Sequence, residues 1–179
     1  MDVKSLCLGV LTLGDASGYE IRKMFEDGPF GHFYDASYGS IYPALGKLLA
    51  DGHVSVTEHI QPGRPSKKVY SLTPAGRAAF QMALAEPPGA DRLRSEVLVR
   101  FFFAELMDPD SLWAVYDDYL AHFQGLAGHL KSLDPADIPQ GRILVRGFGQ
   151  TFYDGMAAYL EQNREAFFKQ IASASEAAE

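Results

Sequence analysis

Two short clusters in this sequence carry groups suited to a polyanion. The first is Ser37-Tyr38-Gly39-Ser40-Ile41-Tyr42-Pro43-Ala44-Leu45, with Lys47 just beyond it. If Ile41, Leu45 and Leu48 face inward on a helix, Tyr38, Ser40, Tyr42 and Lys47 fall on its outer side and Ser37 lies at its entrance. Hydroxyls and an ammonium suit phosphate oxygens and base edges. The second cluster is Gln61-Pro62-Gly63-Arg64-Pro65-Ser66-Lys67, followed by Lys68. Here Arg64 and Lys67 ride on a turn stiffened by Pro62 and Pro65, which leaves them little entropy to lose on meeting a phosphate. Each cluster has a plainer explanation: tyrosines that complete a core, and a solvated turn. Adjacency favours function, because neighbouring elements of one small domain would present a polar helix and a basic arm together.

The elements that must position these groups follow from periodicity. Leu6, Val10 and Leu13 recur at helical spacing up to Gly14, and Ser17 is placed to cap a second helix carrying Tyr19, Ile21, Met24 and Phe25, ended by Gly28-Pro29. A third helix is expected from between Ser37 and Ser40 to Asp51-Gly52, with Pro43 near its N-terminal end where a missing N–H is tolerated. Val54, Val56 and Ile60 then alternate with polar residues, and a second strand is expected over 68–72, so that 61–67 forms the tip of a hairpin. Thr73 caps a fourth helix with Pro74 at its first position. Helix, helix, helix, hairpin, helix is the order of a winged helix-turn-helix.

Glu86-Pro87-Pro88-Gly89 marks the domain boundary, dividing the chain into 1–86 and 87–179. The second half reads as helices over about 92–107, 109–133 and 142–171, with a fraying tail from Ala172. The fold class is therefore mainly α. Net charge is −7, but residues 1–85 carry eight basic and eight acidic side chains, whereas residues 86–179 carry eight and fifteen. Acidity thus belongs to the second half, and over 37–77 Lys47, Arg64, Lys67, Lys68 and Arg77 outnumber Asp51 and Glu58. A local basic face can still bind phosphate, since exposed charges beyond about 8 to 10 Å are screened.

At this point the residues resemble a known family. The run Tyr38-Gly39-Ser40-Ile41-Tyr42-Pro43-Ala44-Leu45, then Lys47-Leu48, Asp51-Gly52 and Gly63-Arg64-Pro65-Ser66-Lys67-Lys68-Val69-Tyr70-Ser71-Leu72-Thr73-Pro74-Ala75-Gly76-Arg77, is similar to the PadR family of transcriptional regulators. Pro88 and Leu93-Arg94-Ser95-Glu96-Val97-Leu98-Val99-Arg100-Phe101-Phe102-Phe103-Ala104 resemble the longer members with an AphA-type helical C-terminal domain. The resemblance implies a homodimeric, sequence-specific DNA-binding protein that represses a nearby promoter and releases it on a small-molecule or stress signal. It matches Tyr42 to the recognition-helix tyrosine and Arg64 with Lys67 to the basic wing. Gly46 and Leu49 depart from the pattern, standing where long polar and acidic side chains are common.

The partners expected are double-stranded DNA with a pseudo-palindromic operator, a second copy of the chain and a small aromatic effector. An effector is suggested by the aromatic wealth of the second half, in which Trp113 is the best single choice for a pocket wall; core and dimer packing explain the same residues more plainly. No enzyme motif is found: no phosphate-cradling glycine loop, no nucleophile elbow, no HExxH, and no acid or cysteine at ligand spacing beside His122 and His129. Hence no catalytic residue, metal or cofactor is expected. Cys7 is the only cysteine, and no apolar run approaches the roughly 20 residues of a membrane span. With no secretory leader recognisable, the cytoplasm is the expected location. The alternative reading is a winged helix that serves protein interaction or ligand binding without DNA.

Overall fold

Asp2 begins the fold in the computed structural model, which describes residues 1–26, 38–61, 64–91, 93–134 and 138–178. Its carboxylate accepts from the Ser5 backbone N–H and hydroxyl, both at 2.9 Å, and caps helix α1 (Val3–Leu11). Ser17 and Glu20 then form a reciprocal capping box at the start of α2 (Gly18–Glu26). The Glu20 backbone N–H donates to Ser17 Oγ at 3.3 Å, while the Ser17 N–H and hydroxyl donate to Glu20 Oε2 at 2.8 and 2.7 Å. The expected end of α2 at Gly28-Pro29 lies outside the described residues. A 3₁₀ turn (Tyr38–Ser40) leads into α3 (Ile41–Ala50), which closes at Gly52, whose φ of +72° favours glycine.

Three antiparallel strands follow the order β1-β3-β2: β1 (Ala16–Ser17), β2 (Val54–Gln61) and β3 (Arg64–Leu72). The two-residue β1, which the sequence pattern does not announce, pairs Ala16 with Tyr70 and Ser17 with Val69. The hairpin differs from expectation. Its strands run on to Gln61 and Arg64, which pair with each other, so Arg64, Ser66 and Lys67 are strand residues and the expected seven-residue tip shrinks to positions 62–63, outside the described residues. Pro65 is tolerated in β3 because β1 reaches only positions 69–70, which leaves this end of β3 with one partner strand, and because the register slips between His59 and Gln61 opposite it.

Helix α4 (Pro74–Ala85) is capped by Thr73, whose Oγ accepts from the Gly76 N–H at 3.0 Å. The Thr73 backbone N–H and hydroxyl both reach the His53 carbonyl, at 3.1 and 2.9 Å, fastening the start of α4 to the start of β2. Between these elements Leu6, Cys7, Ile21, Ile41, Leu45 and Leu48 form a buried core, and Phe80 from α4 packs against it beside Gly9. Burying each large aliphatic side chain contributes roughly 1.5–3 kcal/mol, which is what orients α3 on the sheet.

The chain folds as two compact units, Met1–Asp91 and Arg92–Glu179. The second unit is built on an antiparallel pair, α6 (Pro109–Ser132) and α7 (Gln140–Ala178). Tyr116, Leu120, Phe123, Ala127 and Leu130 of α6 bury against Tyr153, Ala157 and Leu160 of α7, and the Tyr116 hydroxyl donates to the Leu160 carbonyl at 2.6 Å. Lys131 to Asp154, 2.8 Å, and Arg164 to Asp117, 2.6 Å, tie the edges of the pair. The helix expected over 92–107 is instead α5 (Glu96–Phe102) followed by a 3₁₀ turn (Ala104–Leu106). Ser95 caps its start, and Phe103, at φ −115° and ψ 30°, leaves helical geometry so that Ala104 can be fully buried. The tail also departs from expectation: α7 stays helical to Ala178, its alanines being strong helix formers.

Candidate nucleic-acid interface

Burial of Ile41, Ala44, Leu45 and Leu48 turns Tyr42, Pro43, Gly46, Lys47, Leu49 and Ala50 of α3 outward. Tyr42 is 55% exposed, yet its ring rests on the first residue of α2: a Cβ built on Gly18 would stand 2.6 Å from Tyr42 Cε1. The outer face of α3 carries few polar groups because Gly46 has no side chain and Leu49, 39% exposed, is apolar. Ser40 precedes the helix half-exposed and makes no side-chain cap bond to it. Ser37 and the side chains of Tyr38 and Arg64 lie outside what the structure describes.

Each of the three lysines expected at this face has an acidic partner. Lys47 lies 2.9 Å from Asp51 one helical turn on, and its hydrogen bond holds the Asp51 carboxyl below the usual carboxylate range. Lys68 lies 3.3 Å from Glu58, its cross-strand partner. Lys67 reaches out of the sheet to Glu20 on α2, Nζ to Oε1 2.9 Å. The Ser17 backbone N–H and then the Lys67 ammonium push the Glu20 carboxyl down to about 2. Tyr42 of the polar helix and Lys67 of the basic strand therefore converge on residues 18 and 20, at one end of α2.

That third element was not singled out from the sequence. Its solvent side carries Tyr19, 58% exposed, with Lys23 Nζ 5.9 Å from the Tyr19 ring centroid, and Arg22 bonded to Glu26. Ser17-x-x-Glu20 was the legible signal for the helix start. No sequence signal pairs Glu20 with a lysine 47 positions away.

Trp113 sits on α6, 39% exposed, stacked on Phe168 of α7 with ring centroids 3.3 Å apart, and the Arg164 guanidinium lies 5.1 Å from its centroid. Its contacts belong to the seam between the two helices. A shallow cleft of about 450 Å³ lies in the first unit, lined among others by Val10, Leu13, Asp15, Glu20, Lys23 and Met24. Among the described residues no group of three metal-ligating side chains assembles, and no helix is long and apolar enough to cross a membrane. Burial pushes the Cys7 thiol up to about 12, so it is held as the neutral, unreactive form.

Residues 7–82 match the PadR-like family of transcriptional regulators. The negative transcriptional regulator PadR of Bacillus subtilis is 27% identical over 130 residues, 72% of this chain and 71% of that protein. Its structure in complex with operator DNA superposes with a TM-score of 0.70 at 24% identity, covering 94% of this chain and 98% of that one, and it has also been solved with p-coumaric acid. The PadR-like regulator BC1756 of Bacillus cereus is 29% identical with a TM-score of 0.78, covering 92% and 94%. The Vibrio cholerae virulence activator AphA shares the fold at 20% identity, with a TM-score of 0.61 and 96% and 99% of the chains covered.

Proposed function

From the premise that this chain belongs to the PadR-like family of transcriptional regulators, we propose that it is a homodimeric, cytoplasmic repressor with no catalytic role, which grips a pseudo-palindromic operator and releases it on binding a small aromatic effector. Residues 1–86 are the DNA-binding domain and 87–179 the dimerisation and effector domain in this reading. Tyr42, with Ser37, Tyr38 and Ser40 around the entrance to α3, contacts base edges or the sugar-phosphate chain, while Arg64, Lys67 and Lys68 of the hairpin and Lys47 of α3 contact phosphates.

The observation that carries this reading is the convergence of Tyr42 and Lys67 on the N-terminal end of α2. Both side chains stand beside the first turn of α2, so a phosphate drawn to the Lys67 ammonium would pass the exposed Tyr42 ring. Selection of duplexes from a random pool by the purified chain tests it. Enrichment of an inverted repeat is the expected result, and salt-insensitive or absent binding is the result that sinks it. The effector arm has its own readout. Trp113 is the only tryptophan, so an aromatic acid that enters beside it quenches the intrinsic fluorescence.

A further inference from the structure

Lys67 does not wait in open solvent for a phosphate. Its ammonium lies 2.9 Å from Glu20 Oε1, and the other carboxylate oxygen of Glu20 is already committed to the Ser17 N–H at 2.8 Å and the Ser17 hydroxyl at 2.7 Å. The acid is thereby anchored to the start of α2 and cannot follow the ammonium when it moves. Asp51 and Glu58, which face Lys47 and Lys68, have no such second anchor among the described residues. Both partners of the Lys67 pair are accessible, at 40% and 50% of side-chain surface, so an incoming phosphate can reach the ammonium and meets the carboxylate at the same place.

We propose that Glu20 is a fixed internal counterion that a DNA phosphate must displace from Lys67, so that this acid lowers operator affinity as well as capping α2. The inference rests on reading Lys67 as a phosphate contact. An ammonium has three donors, but its attraction to a phosphate is offset by a carboxylate held within the same few ångströms. Because the contact is to backbone, the effect is the same on every sequence. An exposed pair of this kind is worth about a 1.5- to fivefold change in an equilibrium constant, and two half-sites multiply it to roughly 2- to 25-fold.

Glu20→Gln separates the two roles of the acid, because glutamine preserves the capping box while removing the charge. Binding of the full chain to its selected operator and to a random duplex is measured by fluorescence anisotropy over a range of salt, for the wild type, Glu20→Gln, Lys67→Ala and the double variant. The expected result is a complex roughly 2- to 25-fold tighter for Glu20→Gln on both duplexes even though its thermal midpoint is slightly lower than that of the wild type, with the gain largely lost in the Lys67→Ala background. Glu20→Asp, which keeps the charge but withdraws it by one methylene, should fall between the two. Unchanged or weaker binding by Glu20→Gln overturns the proposal, and so does an equal gain without Lys67, which would reduce the acid to a diffuse field. If Lys67→Ala alone alters neither affinity nor salt slope, it is the reading of Lys67 as a DNA contact that fails.

Discussion

The Tyr42 ring lies against the backbone of Gly18, so closely that even a methyl group at position 18 would stand 2.6 Å from the ring. Only hydrogen at residue 18 lets α3 carry an exposed tyrosine in this pose. Gly18→Ala should therefore swing the ring and weaken operator binding by roughly three- to tenfold, while stability, helped by alanine's helix propensity, stays within about 1 kcal/mol of the wild type. Tyr42→Phe keeps the ring and should cost about 0.5–1.5 kcal/mol of binding if the hydroxyl bonds to DNA. Operator titrations beside thermal melts check both, and native affinity in both variants would remove Tyr42 from the interface.

The basic strand should act on every duplex alike. Replacing Arg64 and Lys67 together by alanine should weaken specific and non-specific binding and reduce the slope of log K against log salt by about one unit per lost phosphate contact, with sequence preference largely retained. A salt titration with two unrelated duplexes measures this, and an unaltered slope would exclude the strand from the contact.

Gly76 is demanded by packing rather than by φ. A Cβ there would overlap the His53 carbonyl, the same oxygen that accepts both the backbone N–H and the hydroxyl of Thr73. Gly76→Ala should destabilise the first unit by about 2–4 kcal/mol, because the start of α4 must lift from β2 to admit the methyl. Chemical denaturation monitored by circular dichroism reads the loss.

The depressed Glu20 carboxyl has a signed consequence for acid stability. Its folded value of about 2 lies below the ordinary 4.5, so its contribution is fully present above pH 4.5 and is lost as the pH falls from there toward 2. Glu20→Gln has no such component. The midpoint difference between wild type and variant should hold steady above pH 4.5 and shrink below it, as melts between about pH 6 and pH 3 will show.

Phe148 and Leu144 are 74% and 75% exposed on α7, and Phe102 is 78% exposed on α5, in a unit that carries the acidic excess of the chain. A second copy is the simplest cover for such surface. Phe148→Glu should shift the full chain from dimer toward monomer at micromolar concentration and weaken operator binding by on the order of tenfold or more through lost avidity. Sedimentation measures the first effect, and a variant that stays dimeric with native affinity would place the interface elsewhere.

Much of this protein was decided locally, and so could be read from the chain. The caps at Ser17 and Thr73, the stop at Gly52, the apolar periods of α3 and α6 and the alternation of β2 each depend on residues within a turn or a strand of one another. So did the family motif from Tyr38 to Arg77, whose order reflects one chain threading one small domain. Tertiary structure decided the rest. Pro65 lies within a strand because β1 covers only part of β3, and the helix after Arg92 breaks at Phe103 so that Ala104 can be buried. Trp113 found a stacking partner in Phe168 on α7, far along the chain. Neither the Glu20–Lys67 pair nor the seat of Tyr42 on Gly18 has any trace in spacing, because each depends on where the core sets α2 against β3 and α3, and that is a property of packing over distances no local period records.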